Sequence, residues 1–167
     1  FSDDRNNAKM TFDHLLNKVP VNPEQVHVMR TDIEPEQSAL EYQKMLHTYF
    51  GTEGNSFDPV LSGMGDDGHT ISLFPGTEVI HETKDWVKAF YLTAQQMYRI
   101  TLTAPVVNRA SSVVFLTFGA NKAKALYEVL EGEPNADIYP SQIIQPASGK
   151  LHWFVDEPAA ALLDKKA

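Results

Sequence analysis

Twice in this chain an apolar, β-branched run ends directly in a glycine turn. Phe57 to Leu61 leads into Ser62-Gly63-Met64-Gly65-Asp66-Asp67-Gly68-His69-Thr70, and Ser112 to Phe118 leads into Gly119-Ala120-Asn121. Strands that alternate with helices build an α/β domain around a mostly parallel open sheet with flanking helices. In such sheets ligands bind beyond the carboxyl ends of the strands. Both glycine turns fall at that edge, where they can face one pocket.

The remaining elements follow from periodicity. Asn6 to Lys18 carries Met10, Phe12, Leu15 and Leu16 at roughly helical spacing and stops before Pro20. Gln25 to Arg30 alternates and reads as a short strand. Thr31 or Asp32 is the expected cap of a helix that begins near Pro35, places Ala39, Tyr42, Leu46 and Tyr49 on one face, and ends before Gly51. Trp86 to Leu92 and Arg99 to Thr103 read as further strands, and Ser112 to Phe118 as a central one. A helix with Ala123, Leu126, Tyr127 and Leu130 follows, closed by Gly132 and Pro134. Leu151 to Val155 reads as a last strand and Pro158 to Leu163 as a last helix.

Composition narrows the function classes. With 167 residues, 43% of them apolar and 22% charged, the chain has the make-up of one globular domain or part of a larger one. No apolar run approaches the roughly 18 residues needed to cross a bilayer, so no membrane role is expected. The absence of cysteine removes disulfides and thiolate chemistry and fits a cytoplasmic protein. A net charge of −8 without clustered Lys or Arg argues against nucleic-acid binding. An anionic small substrate would need a few cations aimed inward against that field. Oligomeric state is not encoded in any visible pattern.

The run Gly63 to Gly68 satisfies the three-glycine dinucleotide pattern literally. However, Asp66 and Asp67 stand where a pyrophosphate needs bare backbone N–H groups, and Pro75 leaves little room for the long helix that would follow. No Lys-Ser or Lys-Thr pair follows the glycines, so the nucleotide-phosphate clamp is missing too. His69 with Asp66 and Asp67 gives one imidazole and two carboxylates, and His81 adds no ligand spacing, so no metal is expected. Acid-base equipment explains the residue types better: glycines allow a sharp turn, and an Asp two positions before a His can orient the imidazole. A plain Gly-Asp turn with an exposed His is the alternative that these residues leave open.

Gly63 to Gly76 (Gly-Met-Gly-Asp-Asp-Gly-His-Thr-Ile-Ser-Leu-Phe-Pro-Gly) together with Arg99-Ile100-Thr101-Leu102-Thr103 and Gly119-Ala120-Asn121-Lys122-Ala123 carries a resemblance that continues through Tyr139-Pro140-Ser141-Gln142 and Leu151-His152-Trp153-Phe154-Val155-Asp156. In these ordered motifs the chain resembles the 6-phosphogluconolactonase family, itself similar to glucosamine-6-phosphate deaminases. The resemblance implies a Rossmann-like fold and a sugar-phosphate lactone as substrate, hydrolysed without metal or cofactor. His69 would be the general base, Asp67 its orienting partner, and Arg99 and Lys122 the cations on the substrate phosphate. Backbone N–H groups of the turn, at Gly63, Gly65 and Gly68, would line the pocket and steady the oxyanion. Deaminases are expected to carry a Glu five positions after the His; here that residue is Phe74, which cannot relay a proton. The deaminase and a non-catalytic sugar-phosphate-binding module are the alternatives.

Chains of that family usually begin with roughly 80 to 90 further residues, half a typical domain in scale. On the resemblance, residues 1–167 form a single α/β domain that is the C-terminal two-thirds of a lactonase, lacking the first strands of its sheet. Asn7 then aligns with a Ser-Asn position of the family and is a possible pocket residue. Such a portion is expected to expose an unpaired sheet edge and to be weakly active alone. His14, His27, His47, His81 and His152 are expected to be structural or solvated, and Trp153 to be core. Gln142 takes no role from sequence.

Overall fold

The computed structural model describes residues 6–51 and 54–164. Helix α1, Asn7–His14, starts where the Asn6 side chain accepts the Lys9 N–H at 3.1 Å. The expected single helix to Lys18 breaks at Leu15, whose φ of −133° leaves helical space, and resumes as a 3-10 turn at Leu16–Lys18. Residues 26 to 30 form no strand among the described residues, contrary to their alternation. They run instead beside helix α2, Pro35–Phe50, whose Tyr42 hydroxyl donates to the His27 carbonyl at 3.2 Å. With no neighbouring strand, alternation alone gives no ladder.

Neither Thr31 nor Asp32 caps α2. Asp32 instead receives the Arg30 guanidinium at 2.7 Å, and the helix begins on Pro35, whose missing N–H costs nothing in a first turn. Ala39 and Leu46 are buried as expected, whereas Tyr49 on the same stripe is 63% exposed and meets the His27 ring.

Strand β1, Val60–Gly63, begins three residues later than the apolar run suggests. Pro59 has no N–H to give; the Phe57 carbonyl still accepts the Ser111 N–H at 2.9 Å, and the regular ladder takes up with the Val60 N–H donating to the Ser112 carbonyl at 3.0 Å. Strands β2, Val87–Leu92, and β3, Met97–Leu102, are antiparallel partners of each other and stand apart from the main sheet. This hairpin packs on α2, where Gln43 Oε1 accepts the Trp86 and Val87 N–H groups at 2.6 and 3.1 Å. A short helix α3, Ala104–Val107, missed from sequence because it is only one turn, leads to strand β4, Val113–Thr117. Helix α4, Ala123–Leu130, and strand β5, Leu151–Val155, follow where periodicity predicts them.

The main sheet is parallel with order β1-β4-β5, so β4 is central and β1 lies at an edge. One face builds the core: Val113, Phe115 and Thr117 are fully covered, and the Trp153 ring stacks on Phe115 with centroids 4.0 Å apart. The other face carries Leu61, Leu116 and Phe154, which are 66%, 44% and 59% exposed. Parallel sheets are normally covered on both sides, so this face is unpartnered among the described residues.

The expected helix at Pro158 to Leu163 is a set of turns instead. Asp156 diverts the chain there, its carboxylate accepting the N–H groups of both Ala159 and Gly119.

Before the hairpin, Glu82 gathers three consecutive N–H groups, those of Thr83, Lys84 and Asp85, on Oε1 and the Lys88 ammonium on Oε2. The backbone donor of Lys84, outweighing partial burial together with the others, holds this carboxyl down to about 2 from 4.5. As acid is added, the unfolded chain takes up this proton before the folded one does. Glu82 therefore stabilises the fold above pH 4.5, and that contribution disappears as pH falls toward 2. Glu82→Gln is expected to lower the melting temperature at pH 7 and to narrow the gap to wild type near pH 3, as read by thermal melts at both values.

Candidate active site

The turn after β1 is shaped by hydrogen bonds within itself. The Gly65 N–H donates to the His69 carbonyl at 2.8 Å and the Gly68 N–H to the Gly65 carbonyl at 3.1 Å. Gly68 sits at φ +78°, a left-handed conformation that glycine adopts without penalty. Asp67 Oδ1 accepts both the His69 backbone N–H at 3.0 Å and the ring Nδ1 at 2.6 Å. Gly65 is needed for a different reason: a Cβ there would lie 2.1 Å from His69 Nδ1 and 2.4 Å from Asp67 Oδ1. The pair occupies the space that any side chain at position 65 would take.

The turn is bolted to its surroundings on both sides. Thr70, fully buried, donates to the Gly63 carbonyl at 2.9 Å and meets the Ser62 hydroxyl at 2.6 Å. The Gly68 carbonyl receives both the N–H and the hydroxyl of Ser141, at 3.0 and 2.8 Å, and a Cβ on Gly68 would strike the Tyr139 ring at 2.9 Å. This explains Tyr139-Pro140-Ser141 as a clamp on the turn, a role that sequence alone did not supply. Gln142 points its amide elsewhere, donating to the carbonyls of Glu128 and Glu133 at the end of α4. Ile71 adopts φ +54°, a costly conformation for a β-branched residue, two positions from the imidazole.

Partial burial pushes the Asp67 carboxyl up, but the His69 backbone N–H, the ring donor and its charge outweigh it, and the net lies below the ordinary carboxylate value. An ionised Asp67 can only accept, so in this contact the ring Nδ1 is the donor. With 28% of its side chain exposed, His69 is accessible to a small molecule. Asp67 thus holds the imidazole in one orientation from both its backbone and its ring.

Arg99 reaches this site from β3. Phe74 stacks on His69 with centroids 4.1 Å apart and planes at 25°, and the Arg99 guanidinium carbon lies 5.8 Å from the centre of the same ring. The Arg99 guanidinium also bonds Gln95. The Ser72 N–H donates to Thr101 Oγ1 at 3.1 Å, tying the loop behind His69 to Arg99's strand.

Lys122 ends the 3-10 turn Ala120–Lys122 after β4, and among the described residues no carboxylate lies within ion-pair distance of it. Gly119, at φ +97°, donates its N–H to both oxygens of Asp156 at 2.9 and 3.1 Å, which fixes the turn that carries Lys122. Because Gly63 pairs with Leu116, the two glycine turns leave neighbouring strands at the same end of the sheet. Asn7 opens α1, where its carbonyl accepts the Thr11 hydroxyl.

The three glycines are present but differently employed. The N–H groups of Gly65 and Gly68, expected to face an oxyanion, are instead bonded within the turn. Among the described residues no group of three or more His, Cys, Asp or Glu gathers as a metal site would require.

The molecule is thus an α/β open-sheet domain with an oriented histidine at the carboxyl edge of its parallel strands. Residues 1–153 match the family of glucosamine-6-phosphate isomerases/6-phosphogluconolactonase, and the chain belongs to that family. It is 38% identical over 154 residues to the 6-phosphogluconolactonase of Homo sapiens, a match that covers 90% of this chain and 58% of the human one. The crystal structure of a devB protein superposes with a TM-score of 0.86 at 27% identity, covering 96% of this chain and 68% of that one. A monomeric glucosamine-6-phosphate deaminase shares the fold at a TM-score of 0.80 and 18% identity, over 96% of this chain and 69% of its own. The chain therefore spans little more than half the length of its human relative. No helix among the described residues is long and apolar enough to cross a membrane.

Proposed function

We propose that this chain serves the hydrolysis of 6-phosphogluconolactone to 6-phosphogluconate, with His69 as general base. The single observation that carries the reading is the 2.6 Å contact between Asp67 Oδ1 and His69 Nδ1, which leaves Nε2 as the proton acceptor. Water attacks the lactone carbonyl carbon as Nε2 takes its proton. The tetrahedral intermediate collapses with cleavage of the ring C–O bond, and the imidazolium returns the proton to the departing ring oxygen. Nothing in that sequence needs a covalent nucleophile, and a lactone held through its phosphate has already lost much of its freedom.

Arg99 and Lys122 are the proposed phosphate holders. Arg99 supplies a planar fork and Lys122 a point charge in a chain that is otherwise acidic. Arg99→Ala is expected to raise KM on the order of tenfold or more and to change kcat less, because it removes binding that ground state and transition state share. Steady-state kinetics on the lactone separates the two.

Deamination of glucosamine 6-phosphate is the reading disfavoured by Phe74. Its ring stacks on His69 at 4.1 Å and can neither give nor receive a proton. Assays of the full-length protein on both substrates decide between them. Lactone consumption above the spontaneous rate with no ammonia from the amino sugar is the expected result, and ammonia release without lactonase activity would reverse the assignment.

A further inference from the structure

The base and the proposed phosphate anchor stand on separate pieces of structure. His69 belongs to the turn after β1 of the parallel sheet, whereas Arg99 is on β3 of a hairpin that shares no ladder with that sheet. Their separation must hold to a fraction of an ångström for a phosphorylated lactone to meet Nε2, and among the described residues the two sheets share no backbone ladder to secure it.

We propose that Phe74 is a positioning residue that sets this separation, its ring bearing the His69 imidazole and lying within reach of the Arg99 guanidinium. The proposal rests on His69 as base and Arg99 as phosphate holder. The contacts are the stack with His69 at 4.1 Å and 25° and the Arg99 guanidinium carbon at 5.8 Å from the centre of the same ring. A flat aromatic face accepts both partners: an imidazole stacks on it, and a guanidinium is drawn to its quadrupole.

The ring can act as a gauge because its own backbone is fixed. Leu73 just before it is fully buried and donates its N–H to Thr70 at 2.8 Å, and Pro75 follows with its constrained φ. The Phe74 carbonyl accepts the Thr77 hydroxyl at 2.6 Å and the Thr77 N–H at 3.2 Å. Gly76 is held in turn by donating to the Asp137 carbonyl at 2.9 Å. Phe74 thus has two tasks, excluding a proton-relaying carboxylate from the position and spacing base from anchor.

The test compares Phe74→Leu, Phe74→Met and Phe74→Tyr in the full-length protein, with kcat and KM on 6-phosphogluconolactone and a thermal melt for each. Met fills similar space without a flat face, so it reports even where Leu perturbs folding. Phe74→Met and Phe74→Leu are expected to lower kcat about tenfold and to raise KM several-fold together, whereas Phe74→Tyr keeps both near wild type. His69→Ala and Arg99→Ala, run alongside, are expected to move chiefly kcat and chiefly KM. A folded Phe74→Met enzyme with unchanged kcat and KM, or with only one of them altered, would overturn the proposal while leaving His69 as base. Wild-type turnover by His69→Ala would overturn the base assignment, and the gauge with it.

Discussion

His69→Ala is expected to reduce kcat for lactone hydrolysis by about 10²- to 10⁴-fold, the range contributed by a positioned general base. On the proposed mechanism alanine leaves the attacking water without an acceptor for its proton, while the proposed phosphate holders Arg99 and Lys122 are untouched. KM should therefore change little. Folding should survive as well, because the imidazole is 28% exposed and its main polar contact is with Asp67, which can turn to water once the ring is gone. Activity corrected for the spontaneous opening of the lactone, together with a thermal melt, checks both halves of this expectation.

Gly65→Ala should remove activity on a similar scale without replacing either member of the pair. The added methyl would lie 2.1 Å from His69 Nδ1 and 2.4 Å from both Asp67 Oδ1 and His69 Cε1, far inside contact distance. Either the pair separates or the turn opens, and the turn is bonded through the Gly65 N–H and carbonyl alike. Overpacking of this kind costs about 1–3 kcal/mol in stability, which a melt can register. Gly63→Ala provides the control, since its methyl would meet only the Leu116 carbonyl at an ordinary 3.8 Å. Equal damage from both substitutions would mean that the turn, and not the Asp67–His69 pair, is what Gly65 protects.

Much of this was legible in the sequence where local physics decides. The central strand Val113–Thr117, the helix Ala123–Leu130 and the strand Leu151–Val155 follow from apolar periodicity and glycine stops, because each has neighbours that reward the pattern. Residues 26 to 30 show the opposite case: they alternate as a strand does, but lie against α2 and pair with no strand among the described residues. Pairing is a long-range fact, as it also is for β2 and β3, which read as sheet strands but close on each other.

The site divides the same way. Asp67 and His69 are two residues apart, so their contact could be read from spacing and turn chemistry. The family resemblance added Arg99 and Lys122, which no periodicity marks. What stayed hidden were groups joined only by the fold: Ser141 and Tyr139 on Gly68, Asp156 on Gly119, and Phe74 in contact with both His69 of the turn and Arg99 of the hairpin. The glycines were recognised as turn formers, which holds for Gly68, but the particular reason for Gly65 was not. Gly65 makes room for a side-chain pair and Gly68 supplies a left-handed turn, and both amides that might have faced an oxyanion are spent inside the turn.

The most direct measurement is lactone hydrolysis by the full-length protein carrying Asp67→Asn, His69→Ala, or both. Asp67→Asn replaces an obligate acceptor with an amide that no longer enforces the Nδ1–H form, so it should be slow with KM preserved. If Asp67 acts only through His69, the double variant should be no slower than His69→Ala alone. Hydrolysis by His69→Ala at the wild-type rate would contradict the assignment of this pair as the catalytic base.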